Sequence, residues 1–342
     1  MVGGGTPDTT VPSLWNGDIQ WFTPTEVGHQ KYVSKSARTI TQLGLQKSSA
    51  KKLPAGSILL SSRATIGECS IAQRECTTNQ GFQNLIPKND TNNEFLYYLA
   101  QTKKHHFIKY ASGSTFLEIS NSEIRKTKCT VPGTEEQTQI AAFLSALDDR
   151  ISVQNKIISK YETLIKGLCN MIFRHNKSVS LSDLVKCKTS ALQENMVSTC
   201  HRGEYKVLGA SGAIAAIDTY QFEENGILVL KDGSKAGKIQ FAEGKYSVIG
   251  TSVVLIPNEA CDARYLYFAM SSIDFEKYKV GSGIPHIYFK DYSNERIYYP
   301  EKSLRKRITE ALDAYDIKLG IEKEMLSALQ KQKAFLIKSM FI

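Results

Sequence analysis

The amino-acid sequence predicts an α+β protein, with two similar α/β domains in tandem, separated by an antiparallel coiled coil of two long helices and related by pseudo-twofold symmetry. Three observations predict it. The 342-residue chain repeats itself once, each half opens on short apolar runs set between glycine and proline, and each half closes on a heptad stripe. The boundaries that follow are a first domain over residues 1–133, a first long helix over 134–175, a second domain over 176–300 and a second long helix over 301–342.

The repeat sets the domain count. Residues 56–67, GSILLSSRATIG, lie over residues 226–237, GILVLKDGSKAG, at an offset of 170. The same offset carries Leu85-Ile86-Pro87 onto Leu255-Ile256-Pro257, Leu96-Tyr97 onto Leu266-Tyr267 and Ser112-Gly113 onto Ser282-Gly283 without a gap. After Pro132 and Pro300 it falls to 168, which places a two-residue indel at that junction. Within each half, Ile58-Leu59-Leu60, Ile227-Leu228-Val229-Leu230 and Val253-Val254-Leu255-Ile256 read as buried strands. The stretches Phe95–Leu99 and Tyr265–Ala269 read as amphipathic helices packed on those sheets.

The closing stripes set the helices. From Ile140 the seam runs by steps of four and three through Leu144, Leu147, Ile151, Gln154, Ile158, Tyr161, Ile165, Leu168 and Ile172. A shift of 168 gives Ile308, Leu312, Tyr315, Leu319, Glu322, Leu326, Leu329, Lys333, Leu336 and Met340. A period of 3.5 residues sustained this long belongs to a coiled coil, since an ordinary helix drifts toward 3.6. Each seam predicts a rod on the order of 50 Å at about 1.5 Å per residue. The obvious partner of one helix is the other, paired antiparallel with a domain at each end.

Composition narrows the class of function. Hydrophobic residues at 42% and charged residues at 23% describe a globular chain rather than a disordered one. Lys and Arg number 43 against 34 Asp and Glu, a net charge of +9 that favours polyanion partners. No run approaches the roughly 20 apolar residues of a membrane span, and Met1–Gly5 has no signal-peptide pattern, so a cytoplasmic location is expected. Seven scattered cysteines, with no Cys-x-x-Cys, predict free thiols and neither zinc nor a disulfide framework.

Catalytic patterns are missing. There is no glycine-rich cofactor loop after a strand and no Asn/Asp-Pro-Pro-aromatic loop, as a base-flipping methyltransferase would need. Gly233–Lys238 misses the Walker spacing, and the histidines form no His-Glu-x-x-His. No catalytic residue, metal or cofactor is therefore assigned to this chain, and the remaining polar residues read as binders. Phosphate contacts need cations and hydroxyls, and base readout in the major groove needs Arg, Asn or Gln. The DNA-binding candidates are Lys31, Lys35, Arg38, Arg63, Thr65, Asn79, Gln80, Ser112, Ser114 and Thr115 in the first half. In the second they are Arg202, Lys231, Ser234, Lys235, Lys238, Thr251, Ser252, Ser282 and His286, with Asn225 a weaker base reader. For any one of these a plain surface role stays open.

Several motifs together resemble the specificity subunits of type I restriction–modification systems across essentially the whole chain. They are Gly3-Gly4-Gly5-Thr6-Pro7 with Trp15–Trp21, Gly56–Leu59 leading to Arg63-Ala64-Thr65-Ile66-Gly67, and Asn79-Gln80. Ser112–Thr115 with Ile119 and Val131-Pro132, then Glu135-Glu136-Gln137 before Ile140, complete the pattern. The resemblance implies two target-recognition domains, each binding one half of a bipartite site on double-stranded DNA. It also implies paired helices that set the spacer and dock two methyltransferase subunits. Partner subunits would bring S-adenosylmethionine for adenine methylation, and a restriction motor subunit would bring ATP and Mg for cleavage.

Two departures accompany the resemblance. Leu181-Ser182-Asp183-Leu184 opens the second domain without a counterpart before Met1, so the first domain is expected to be short of that element or completed by another part of the fold. Gly17-Asp18 fits Gly203-Glu204 only at an offset of 186, so the intervening loops diverge and different half-sites are expected. The rival readings are a coiled-coil adaptor for proteins and a free-standing DNA-binding regulator.

Overall fold

A computed structural model describes residues 1–113, 117–175, 178–197, 202–259 and 262–341. Contacts divide the chain into two units, Met1–Gln154 with Met325–Ile342, and Asn155–Glu324. The first contains β1 (Val2–Gly3), β2 (Trp15–Phe22), β3 (Tyr32–Val33), β4 (Arg38–Ile40), α1 (Gln42–Gln46), β5 (Ile58–Leu60), β6 (Cys69–Ala72), β7 (Cys76–Thr78) and β8 (Gln83–Asn84). The helices α2 (Asn93–Thr102), α3 (Lys104–Lys109) and α4 (Asn121–Lys126) follow, and then the long α5 (Thr134–Phe173) begins. Beyond it come β9 (Val179–Ser180), α6 (Leu181–Leu184), β10 (Val185–Thr189), α7 (Glu194–Val197), β11 (Tyr205–Gly209), β12 (Gly212–Ile217) and β13 (Gly226–Leu230). The chain ends through β14 (Ile239–Ala242), β15 (Tyr246–Val248), β16 (Ser252–Pro257), α8 (Ala263–Met270), α9 (Phe289–Tyr292), β17 (Arg296–Ile297) and the long α10 (Lys302–Met340).

Both units are built the same way. In the first, β4-β2-β7 and β3-β6-β5 form sheets, and α2 lays Phe95, Tyr97, Tyr98 and Leu99 on the apolar face of β5 and β6. In the second, β12-β11-β15 and β10-β16-β13-β14 do the same, with α8 as the covering helix. The strand runs read from sequence are these central strands: β5, β13 and β16 are buried along their whole length. The offset of 186 at Gly17-Asp18 is matched by the ladders, since β2 runs parallel to β7 and β11 parallel to β15 in corresponding register. In the second unit Leu181 and Leu184 belong to the core, whereas in the first Met1, Ile337, Met340 and Phe341 pack against the corresponding cluster.

The hydrogen bonds correct the alignment of the halves in two places. Ile58 faces Ile71 across β5–β6, but Ile227 faces Phe241 across β13–β14. The partner strands stand 170 apart, so β5 and β13 stand only 169 apart, and one extra residue lies in the loop that follows β13. The apolar runs hid this, because one aliphatic side chain replaces another at any step of a fully buried strand. Both loops still close on a left-handed glycine, Gly67 at φ +83° and Gly237 at φ +87°. A Cβ at Gly237 would lie 2.5 Å from the Phe275 Cβ, so this matched glycine is required sterically. Secondly, Ser112 exchanges two backbone hydrogen bonds with Glu118, as Val280 does with His286. The offset is therefore already 168 at Ser112, ahead of Pro132, and Gly113 corresponds to Gly281 rather than Gly283.

The long helices pair within each unit. In the first unit Ile140 and Leu144 of α5 share a cluster with Leu336, Ile337 and Met340 of α10, and Lys333 Nζ lies 2.5 Å from Asp148 Oδ1. In the second, Ile165, Leu168, Cys169 and Phe173 pack with Ile308 and Leu312, and Lys323 Nζ lies 2.7 Å from Glu162 Oε1. Early residues of one helix meet late residues of the other in both units, so each pairing is antiparallel. Of the seam residues, Leu147, Ile158, Leu319 and Leu329 are buried, and Ile151 and Leu326 are half-buried. The polar steps Gln154 and Glu322 are buried as well.

Tyr315 departs from the seam and is 39% exposed. On the adjoining face of α10, Arg264 of α8 donates to Asp313 Oδ1 at 2.5 Å and to Asp316 Oδ2 at 2.6 Å. The first unit ties the same helix face to its covering helix, through Ser145 to Glu94 and Asp148 to Tyr98, and still buries Leu147, the counterpart of Tyr315.

Candidate nucleic-acid interface

In the first unit the candidate surface grows from the C-terminal ends of β5 and β7. Ser62 donates its amide to Gly81 O at 2.8 Å and accepts from the Ile119 amide at 2.9 Å, so three loops meet at one point. Arg63 heads the tight turn that follows, in which Ala64 is held at φ +63°. Its guanidinium reaches Glu118 Oε2 through Nε at 3.0 Å and through Nη2. Thr65 Oγ1 donates to Pro24 O at 3.2 Å, and Asn79 Oδ1 accepts from the Gly81 amide at 2.9 Å. Gln80 Oε1 accepts from Thr6 Oγ1. Arg63, Thr65, Asn79, Gln80 and Ser112 are thus gathered by the fold, while Ser114 and Thr115 lie outside the described residues. Among the described residues the side-chain amide nitrogens of Asn79 and Gln80 have no hydrogen-bond partner, so two donors are left over here.

Lys35 stands in the loop between β3 and β4, and Arg38 begins β4 on the neighbouring sheet. Ser36 between them accepts from the Trp21 amide at 2.9 Å and donates to Arg38 O at 2.6 Å, which fastens this loop to β2. The Arg38 guanidinium stacks 3.6 Å from the Trp15 ring centroid, a fixed and exposed cation. Lys31 departs from the set. Its ammonium is held by Glu94 Oε2 at 2.9 Å, Tyr98 Oη at 3.2 Å and Ser145 Oγ at 2.5 Å, with 12% of the side chain exposed. It joins β3 to α2 and α5 and has no donor left over for phosphate.

In the second unit the equivalent surface lies at the end of β13. The Lys231 amide donates to Thr251 O at 2.9 Å, and Ile287 donates to Lys231 O at 2.9 Å, so the same three loops meet. Asp232 Oδ1 and His286 Nδ1 are 2.8 Å apart, and Gly233 donates its amide to Pro285 O at 2.9 Å. Ser234, Lys235, Lys238, Thr251 and Ser282 are exposed around this junction. The Lys238 ammonium donates to Ala210 O at 3.4 Å. Ser252 is 1% exposed and faces the core, away from any ligand. Arg202 is exposed ahead of β11. Asn225 precedes β13 while Lys231 follows it, so about 17 Å of strand separates them, and Asn225 Oδ1 accepts from the Gly244 amide at 3.0 Å. It is part of a turn at the far end of the sheet.

The sequence reading passed over Glu118 and Asp232, because acidic groups are not what a search for phosphate ligands selects. It also passed over Tyr205, Tyr220 and Lys245, where the ammonium lies 4.7 Å from the Tyr220 ring centroid on the β11 sheet. The corresponding sheet of the first unit carries Arg38 over Trp15 instead. Among the described residues no three metal-ligating side chains converge, and no helix is long and apolar enough to cross a membrane.

The fold and these surfaces define a class: tandemly duplicated α/β binding proteins, in which one scaffold is used twice and its loop chemistry is not. The chain belongs to the family of the type I restriction modification DNA specificity domain, which matches it twice, over residues 2–163 and 174–331. It is 41% identical over 167 residues to the type I restriction enzyme MjaIX specificity subunit of Methanocaldococcus jannaschii, covering 47% of this chain and 39% of that protein. It is 28% identical over 153 residues to the EcoR124I/EcoR124II specificity subunit of Escherichia coli, covering 43% of this chain and 38% of that one. Such alignments span about two fifths of the relatives' length. A longer alignment, to the E. coli EcoprrI specificity subunit, covers 92% of this chain and 84% of that protein at 21% identity. In fold the chain is similar to the crystal structure of a type I restriction-modification S subunit from M. genitalium, with TM-score 0.62 and 17% identity over 99% of this chain and 92% of that one.

Proposed function

We propose that this protein is the sequence-specific DNA-binding specificity subunit of a type I restriction–modification complex and is not itself catalytic. Each recognition domain reads one half of a bipartite site, and the two long helices set the spacer and dock two modification subunits. S-adenosylmethionine for adenine methylation, and ATP with Mg for the restriction motor, belong to those partners. The complex acts in the cytoplasm, where the DNA is.

One observation carries the reading. The same three-loop junction recurs in both units and bears cations, amides and hydroxyls in one, cations, hydroxyls and a histidine in the other. A repeated scaffold with unlike loops suits two unlike half-sites, because base readout depends on which donors the loops present. Apolar side chains left outside the helix pairs suit protein docking: Phe143 and Phe335 in the first unit, and Leu164, Met171, Ile317 and Ile321 in the second.

The test is methylation mapping in a host that expresses the chain together with a modification subunit. A bipartite methylated sequence that disappears when this chain is omitted is the expected result. Methylation that is absent, or that does not depend on the chain, would remove the reading.

A further inference from the structure

Arg63 and Asp232 occupy one place in the two units, as do Glu118 and His286. Each pair is bridged by backbone as well as side chain: Arg63 with Glu118, and Asp232 with His286. The order of charge is reversed between them. In the first unit the strand end carries the cation and the turn carries the acid, and in the second the strand end carries the acid and the turn carries the base.

Each clasp stands at the base of a short loop, and the described ends of the two loops share one backbone plan. Ser112 and Glu118 exchange hydrogen bonds of 3.0 and 2.9 Å, and Val280 and His286 exchange bonds of 2.9 and 2.8 Å. A left-handed glycine follows the first residue of each, Gly113 at φ +134° and Gly281 at φ +98°. Across the clasp, Ala64 at φ +63° and Gly233 at φ +92° turn the strand end the same way. The exposed parts of these loops include Ser112 and Gly113 in one unit and Ser282, Gly283 and Ile284 in the other. The clasp side chains are between 32% and 43% exposed, so they are within reach of a bound duplex and are not core pairs.

We infer that Arg63–Glu118 and Asp232–His286 are positioning pairs, each fixing the recognition loop of its own unit. Base discrimination needs donors held to a fraction of an ångström, and a loop tied only through its backbone ends does not supply that. This rests on the DNA-reading function proposed above. Arg63 then acts chiefly through Glu118, and replacing the pair by the other unit's pair preserves the tie.

Methylation mapping with the full chain and a modification subunit tests the assignment. Glu118→Ala and Arg63→Asp should each weaken discrimination at one half-site by about tenfold, with the other half-site unchanged. The double variant Arg63→Asp with Glu118→His, which sets the second unit's pair into the first, should restore it. Should Glu118→Ala fail to accumulate, His286→Ala carries the same test at the other half-site. A double variant no better than Arg63→Asp alone would make Arg63 a direct base contact and overturn the positioning role. Unchanged discrimination in Glu118→Ala would overturn it equally. A wild-type chain that directs no bipartite methylation overturns the functional reading and the clasp with it.

Discussion

Lys31, Tyr32, Tyr98 and Ser145 converge with Glu94 on a polar knot where β3 meets α2 and α5. Burial opposes the charge on Glu94, but hydrogen bonds from Ser145, Tyr32 and Lys31, with the Lys31 charge, hold its carboxyl below the usual range. A carboxyl depressed on folding adds stability that is complete above its ordinary value, about 4.3, and is lost as pH falls through the lower folded value. Glu94→Gln should therefore lower Tm at pH 7, with a deficit that shrinks as the pH is taken below the ordinary carboxylate range; a deficit that stays constant or grows would contradict the sign. A second residue-scale contrast joins the helices to the domains. Gln137 accepts from the Asn92 amide at 2.9 Å, and in the same place Arg305 holds Asp262 through two bonds of 3.0 Å. Arg305 and Asp262 are 7% and 4% exposed, so Arg305→Ala leaves a buried carboxylate without its cation, with the Tyr299 hydroxyl still donating to it, and should destabilise the second unit by roughly 3 kcal/mol. Denaturant unfolding measures it. Sequence alone marked Gln137 as the opening of a helix, but its bond to Asn92 joins residues 45 apart in the chain and has no local signature.

At the scale of the element, the long helices were the most legible part of the chain. A heptad stripe is local, so the period that predicts the pairing face is written in consecutive residues, and Leu144, Leu147, Ile158, Leu312, Leu319 and Leu329 are buried where the period puts them. Tyr315 stands on the same stripe but is 39% exposed, whereas its counterpart Leu147 in the first unit is buried. The outward apolar residues have a different use. Ile317 is 62% exposed, and Ile317→Asp should leave the melting curve unchanged while reducing co-purification with a modification subunit. Retained co-purification would place docking elsewhere. The strands were legible as buried runs, but not their register. A run such as Ile58-Leu59-Leu60 fits Ile227–Val229 or Leu228–Leu230 equally well until the cross-strand partners Ile71 and Phe241 choose.

For the molecule as a whole, a net charge of +9 predicts that affinity for duplex DNA falls as salt rises, linearly on logarithmic axes. Gel-shift titration over several salt concentrations checks it, and a flat response would favour a protein-binding adaptor. Inserting one heptad in each long helix should lengthen the tolerated spacer without altering either half-site, as methylation mapping would report. The sequence by itself determined the duplication, the α+β class, the two seam faces and the absence of recognisable catalytic motifs, because repeats, periods and motif spacings are properties of neighbouring letters. Only the tertiary structure decided that Lys31 is bound into an ion pair, that Asn225 lies at the wrong end of its strand, and that Arg63 corresponds to Asp232. Each of those depends on which distant backbone groups hydrogen-bond to one another, and such pairings are fixed by sheet register and packing across tens of residues.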